Sequence, residues 1–396
     1  MTVLEFIDKN FPSSVLDNKE DADNRFGLPF PYTVPSPGDI FDCMFYWDTH
    51  FTNVGLIRSG RTHQAIYNTD NIRHMIQRFG YMPNGTKRHF LEKSQPPVYY
   101  RMVSDIFDVT RDVAWLDSHY NSIAKEYHYW MTQRLAPNGL NYYGNTKIAT
   151  SEEAEGLYAY WKTRIPGLDS VSKTQAVNVG STMGESGWDC CYRFELQGPY
   201  YNPVDLNALL YGLETAMARF SRILGSGEET LWSERAASRK GKMDMWLFSK
   251  EKGFYLDWDY QNQRHSPVVS AASLYPLYLG LNHEPDAVME FLEKELLLPY
   301  GVTCTAKSSN NFDMQWEYPN IWAPLQYVAY MACCNAGRDD LAEEIARRYK
   351  DLLESNFAKT GKLWEKYDGN TGEVVNAEYS APPMMGWTAG VYLAFL

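Results

Sequence analysis

Apolar residues recur at three- and four-residue spacing along most of the 396 residues, and this period constrains the fold more than any other feature. It predicts helices over Ala208–Leu224, Glu229–Leu247, Asp286–Leu297, Ala323–Ala336 and Asp339–Glu354. Earlier helices are predicted over Thr49–Arg58, His63–Phe79, Val98–Val109 and Asp112–Ala136, the last stopped by Pro137-Asn138-Gly139. Shorter ones fall near Glu152–Lys162, Ala271–Leu279 and Thr388–Leu396. Phe254–Tyr260 reads as a short strand or a connection. Gly and Pro cluster between these segments, at Pro35–Gly38, Pro83–Gly85, Pro166–Gly167, Gly184–Gly187, Gly198–Pro203 and Pro382-Pro383, and mark loops. Without a linker, a low-complexity run or a short repeat, the pattern predicts one all-α domain over residues 1–396. Its expected form is an α/α toroid of helix pairs with loops gathered at one end.

The loops carry a second pattern. An aromatic residue stands beside a carboxylate in Trp47-Asp48, Trp188-Asp189, Trp258-Asp259, Trp316-Glu317, Trp364-Glu365, Tyr367-Asp368 and Glu378-Tyr379. A sugar presents flat C–H faces and a ring of hydroxyls. Aromatic rings cover the first and carboxylates accept hydrogen bonds from the second. Two carboxyls can also cleave a glycosidic bond. Loops on a helical frame are a common place for such chemistry. The expected class is a carbohydrate-active enzyme.

Charge narrows the partners. The formal net charge of −12 argues against nucleic acid and anionic membrane, and against a strongly anionic substrate. No stretch is apolar for long enough to span a bilayer, and MTVLEFIDKNFPSS has neither the basic nor the apolar region of a signal peptide. The six cysteines fall as two adjacent pairs, Cys190-Cys191 and Cys333-Cys334, with Cys43 and Cys304 alone. That is not a disulfide framework or a CxxC metal site. These signals predict a cytoplasmic protein with reduced thiols, no metal and no cofactor. It would take a small carbohydrate and exist as a monomer or a homodimer.

Several segments then resemble one family in order. ESGWDCCYRF (185–194) is similar to the ESGWDxSSRW segment of the trehalases, glycoside hydrolase family 37. PGDIFDCMFYWDTHFTNVGL (37–56) resembles that family's PGGRFxExYYWDxYFxxxGL, and MPNGTKRHFLEKSQPP (82–97) resembles PNGNRxYYLxRSQPP. PVDLNALLYGLE (203–214), QWEYPNIWAPLQ (315–326), GKLWEKYD (361–368) and EY followed by GWTAGV complete the set. The motifs cover roughly the whole chain, far beyond a lone short match.

The resemblance implies an (α/α)6 barrel and an inverting α-glycosidase, with trehalose as the leading substrate. It assigns the general acid to Asp189 and the general base to Glu378. Inversion needs a protonated carboxyl at the leaving oxygen and an ionised one about 6.5–9.5 Å away to activate a water. Trp188 beside Asp189 would raise its pKa. The resemblance also places Trp47, Asp48, Asn84, Lys93, Gln95, Gly187, Trp188, Arg193, Gln315, Trp316, Glu317 and Trp387 at the sugar, with Glu365 and Lys366 matching its EKYD segment. Plainer readings stand beside these. Asp189 could pair with Arg193, and Asp48 or Asp205 could cap a helix. Glu317 could bridge to Lys93 or Arg88, and Trp47, Trp316 and Trp387 could be core. The run Glu152–Glu155 reads as a solvated face.

Departures bear on the substrate. Ile40 and Cys43 replace an arginine and a glutamate of the family's PGGRFxE. Lys93 replaces an arginine and cannot offer a planar fork. Residues 147–156 stand where the family has RPES, leaving Glu152 or Glu153 as its glutamate and Lys147 or Arg88 as compensating cations. A related oligosaccharide α-glucosidase or a glucosylglycerate or mannosylglycerate hydrolase is therefore the alternative. A His-dependent sugar epimerase or a non-catalytic sugar-binding protein are readings from other classes.

Overall fold

A computed structural model describes residues 1–38, 41–145, 151–281, 284–308, 314–375 and 383–396, with residues 151–153 described in backbone only. Fourteen α-helices lie among the described residues: α1 (Val3–Asn10), α2 (Tyr46–Arg58), α3 (Thr62–Phe79), α4 (Tyr99–Thr110), α5 (Val113–Gln133), α6 (Ser151–Lys162), α7 (Lys173–Ser186), α8 (Val204–Leu224), α9 (Glu229–Trp246), α10 (Tyr275–Tyr278), α11 (Pro285–Phe291), α12 (Ala323–Asn335), α13 (Asp339–Thr360) and α14 (Trp387–Ala394).

Six of them, α2, α4, α8, α10, α12 and α14, form a closed inner ring in which each packs on the next and α14 returns to α2. The helices that precede or follow them in the chain, α3, α5, α9, α11, α13 and α1, complete an (α/α)6 barrel. Local chemistry sets the ends. Thr2 and Glu5 form a capping box on α1, Asp112 caps α5, and left-handed glycines Gly80, Gly225 and Gly361 end α3, α8 and α13. In the ring burial extends all round a helix: α2 is buried at every position from Tyr46 to Leu56, polar Asp48, Thr49, His50, Thr52 and Asn53 included. The α2–α14 contact needs two glycines. A Cβ on Gly55 would lie 2.3 Å from the carbonyl oxygen of Gly390, and one on Gly390 would lie 2.2 Å from that of Phe51.

The hairpin α6–α7 lies outside the ring. It has its own apolar cluster, with Trp161, Ile165, Leu168, Ala176, Val179 and Met183 at its centre. The strands are short. Asn320–Trp322 pairs antiparallel with Lys366–Asp368, in register Asn320 to Asp368. Tyr201–Asn202, Trp258–Asp259 and Arg264–His265 form a small three-stranded sheet.

Some elements differ from expectation. Helix α2 begins at Tyr46, so Trp47 and Asp48 sit in its first turn and Phe45 is the N-cap. The cap of α8 is Pro203, and Asp205 lies in the first turn. Gly184 was expected in a loop but belongs to α7, and only Gly187 ends that helix. The expected helix Asp286–Leu297 is α only to Phe291 and widens into a π turn over Leu292–Leu296. Ala271–Leu279 divides into a 3-10 turn and α10. Phe254–Tyr260 is two strands in separate pairings, Phe254–Tyr255 with Phe248–Ser249 and Trp258–Asp259 within the three-stranded sheet.

Candidate active site

The ESGWD segment closes α7 and is held from several sides. Gly187 turns the chain at φ 75°, and the Trp47 indole occupies the space a Cβ would need, 2.7 Å away. Trp188 is fully buried and stacks on Trp316 at 5.6 Å and 24°. Asp189 is only half-buried, and the next residue, Cys190, takes a left-handed φ of 55°. That conformation is costly for a side-chain-bearing residue and reverses the chain just beyond the carboxyl.

Five tryptophans from four segments meet here. Trp316 stacks on Trp322 at 4.1 Å and 7°. Trp47 lies 5.5 Å from Trp316 and 6.0 Å from Trp387, and Trp387 lies 5.7 Å from Trp322. Their rings mostly cover one another. The indole N–H groups of Trp188 and Trp387 have no hydrogen-bond acceptor among the described residues.

Beside this cluster the Asp48 carboxyl feels two others, Glu365 and Asp189. Burial drives the Asp48 carboxyl up to about 8. Part of that rise comes from the charges of Glu365 and Asp189, against the pull of a backbone N–H. The cation nearby is Lys366, itself fully buried. Its Nζ donates to Gln315 Oε1 at 2.8 Å, lies 3.5 Å from Glu365 and sits over the Trp322 ring.

Other expected sugar contacts serve the frame. Gln95 Oε1 accepts from the Trp47 backbone N–H at 3.0 Å. The Asn84 amide donates to the carbonyl of Gly184 at 2.9 Å. Both therefore fix elements that line the site. Lys93 lies with Nζ 5.6 Å from the centre of the Trp161 ring, on the α6–α7 hairpin. Glu317 does not bridge to Lys93 or Arg88. It accepts from the backbone N–H of Tyr192, and burial raises its carboxyl to about 7.

Arg193 is a correction. It was expected at the sugar, and the alternative was a pair with Asp189. It is fully buried instead, and its guanidinium is occupied by Asp205, at 2.6 and 3.1 Å, and by Asp257, at 2.5 and 2.8 Å. Its Nε, Nη1 and Nη2 all donate to these two acids. The sequence reading missed Glu185, also fully buried, which accepts from Arg134 and from the N–H groups of Ser94 and Gly144. Burial raises its carboxyl, but Arg134 and these donors outweigh that and hold it below the usual range. Glu378, Ile40 and Lys147 lie outside the described residues, as do the side chains of Glu152 and Glu153. No group of three or more His, Cys, Asp or Glu able to hold a metal exists among the described residues.

The trehalase family model matches residues 9–396. The chain belongs to the trehalase family. Similar relatives are the periplasmic trehalases of Pseudomonas aeruginosa and of Xanthomonas campestris pv. campestris. The first is 34% identical, with 93% of this chain and 71% of the relative covered; the second is 32% identical, with 99% and 72% covered. The neutral trehalase of Saccharomyces cerevisiae has a similar structure, with a TM-score of 0.76 at 23% identity, covering 93% of this chain and 73% of that one. So does a GH63 mannosylglycerate hydrolase from Thermus thermophilus, with a TM-score of 0.68 at 15% identity and 99% and 98% covered. These two likenesses show that the (α/α)6 fold is shared. Membership makes this trehalase-family chain a glycoside hydrolase. The names of the bacterial relatives overturn the cytoplasmic expectation. A signal peptide is removed on export and an exported protein needs no disulfides, so neither signal behind that expectation decides an address. No helix among the described residues is long and apolar enough to cross a membrane.

Proposed function

We propose that this trehalase-family protein hydrolyses α,α-trehalose to two glucose molecules with inversion, with Asp189 as general acid and Glu378 as general base. One observation carries the reading. Asp189 is a half-buried carboxyl on a strained loop next to the tryptophan cluster, and the buried carboxyl of Asp48 feels its charge together with that of Glu365. Asp189 gives its proton to the glycosidic oxygen as the C1–O bond breaks. Glu378 takes a proton from the water that attacks C1 from the opposite face. One glucose leaves as the α anomer and the other forms as the β anomer. With Asp48 raised to about 8, its carboxyl is largely protonated at neutral pH. It can donate to a sugar hydroxyl and adds little negative charge beside the acid. Barrel and α6–α7 hairpin work as one catalytic unit, since the acid follows the hairpin and its surroundings come from the barrel.

A second reading, cleavage of another small α-glucoside, rests on Lys93, whose ammonium faces Trp161 where a bidentate fork would grip a sugar. Proton NMR on trehalose, kojibiose, maltose, glucosylglycerate and mannosylglycerate decides between them. Equal α- and β-glucose from trehalose, lost in Asp189→Asn and in Glu378→Gln, is the expected result. Turnover of another glycoside alone moves the substrate, and turnover in either variant removes that residue from its role.

A further inference from the structure

We infer that Glu317 is the positioning residue for the general acid: it fixes the loop that aims Asp189 and makes its contacts to that loop rather than to sugar. The inference rests on Asp189 being the acid. Glu317 Oε1 accepts from the Tyr192 backbone N–H at 2.5 Å and faces the Cys191 thiol at 3.9 Å. Both residues lie within three positions of Asp189, just beyond the left-handed Cys190. A left-handed non-glycine residue relaxes unless its neighbours hold it. On the near side, Trp188 is held by its stack on Trp316 and by its backbone N–H, which donates to Ser186 Oγ. On the far side, Arg193 is held by Asp205 and Asp257. Between Cys190 and Arg193, Glu317 grips both Cys191 and Tyr192.

Glu317 is itself well anchored. Its carbonyl accepts from the Asn320 N–H at 2.7 Å, the Tyr318 N–H donates to Thr305 Oγ1, and the Asn320 side chain ties back to Met314 and Gln315. The residue is 6% exposed, which suits a carboxyl spent on backbone. A general acid misplaced by about 1 Å loses on the order of 100-fold in rate. Loss of this grip should therefore reach the chemistry without reaching sugar affinity.

The test uses two substrates with different need for acid help. Cleavage of trehalose requires a proton on a sugar oxygen, whereas fluoride leaves from α-glucosyl fluoride with little protonation. Glu317→Leu should lower kcat on trehalose by roughly 10- to 100-fold with KM within about 2-fold. The same variant should keep α-glucosyl fluoride turnover within about 3-fold. Glu317→Gln, which retains an oxygen acceptor for Tyr192, should recover most of the trehalose rate. If Glu317→Leu does not fold, Glu317→Asp, which draws the carboxylate back by one methylene, should show the same split at smaller size. Proportional loss on both substrates overturns the inference in favour of a general structural role. A raised KM with unchanged kcat overturns it in favour of a sugar contact. Asp189→Asn is measured alongside. Its loss of trehalose turnover, with normal kinetics in Glu317→Leu, overturns the positioning role alone. Its retention of turnover overturns the acid assignment and this inference with it.

Discussion

The barrel ring and the segment that carries the proposed acid are held together largely by different physics. In the ring, apolar side chains pack around the axis, and α2 and α14 touch through Gly55 and Gly390. Beside it, α6 and α7 share only a small apolar cluster, and the end of α7 and the loop that follows are fixed by buried charge. Glu185 meets Arg134, and Arg193 meets Asp205 and Asp257. Apolar contact is non-directional, so it stabilises without aiming anything. A buried ion pair with several hydrogen bonds has one acceptable geometry, at a desolvation cost of several kcal/mol per ion. The contrast indicates that precision at the catalytic end comes from charge and bulk stability from the ring.

Removing one side of the buried charge is the strongest way to break the contrast. Arg193→Met leaves Asp205 and Asp257 buried without a cation, and should lower folding stability by about 3–5 kcal/mol. Urea denaturation measures it. A loss under about 1 kcal/mol would mean that the acid loop does not depend on this cluster.

Cavity mutants compare the two apolar cores directly. Leu210→Ala in α8 should cost about 2–5 kcal/mol and move the global urea midpoint. Leu168→Ala empties the hairpin cluster. Its effect should appear first as faster amide exchange in α6 and α7, with a smaller change at the barrel midpoint. Equal global shifts would show one cooperative core instead of two.

The sequence showed the long barrel helices better than α7, for a physical reason. Helices such as α8 and α13 bury one face and leave part of the other in water, so their period is strong, and both begin within a few residues of the expected positions. In α7, KTQAVNVGSTMGES has little apolar stripe. Two of its glycines lie where Trp161 and Lys93 approach, and such contacts leave no periodic mark. Site chemistry divided in the same way. The order of the motifs placed Asp189 on a turn beside other carboxyls. It could not show that Arg193 reaches partners 12 and 64 residues away instead of the carboxylate four residues before it. Nor could spacing show that Trp47, Trp316 and Trp387 press on one another, because that contact joins segments far apart in the chain.

A buried carboxyl inside the barrel gives a pH test of the ring. Glu126 on α5 accepts from the Tyr46 hydroxyl at 2.6 Å, and burial raises it to about 8. Its folded pKa lies above the unfolded value. The native state therefore binds the proton more tightly, and stability is lost as pH rises from about 4.5 through 8. Glu126→Gln should flatten that decline, by on the order of 2 kcal/mol between pH 5 and pH 8. Asp48 and Glu317 fall in the same direction and keep part of the slope. An unchanged slope would mean that Glu126 is not neutral in the folded protein.

The smallest effect comes from the same residue type in opposite surroundings. Arg347 on α13 contacts Glu344 and Asp351 at 2.8 to 2.9 Å, much as Arg193 contacts its own two acids. Its side chain is 58% exposed, whereas that of Arg193 is fully buried. Water already solvates the Arg347 charges, so the pairs add little beyond what solvent supplies, and salt screens them further. Arg347→Ala should change stability by at most about 0.5 kcal/mol, shrinking further at about 1 M salt. If it cost as much as Arg193→Met, the count of ion pairs would set stability. The expected gap of several kcal/mol would show that burial decides, and that removing a partner from a buried pair costs most through the charge left behind.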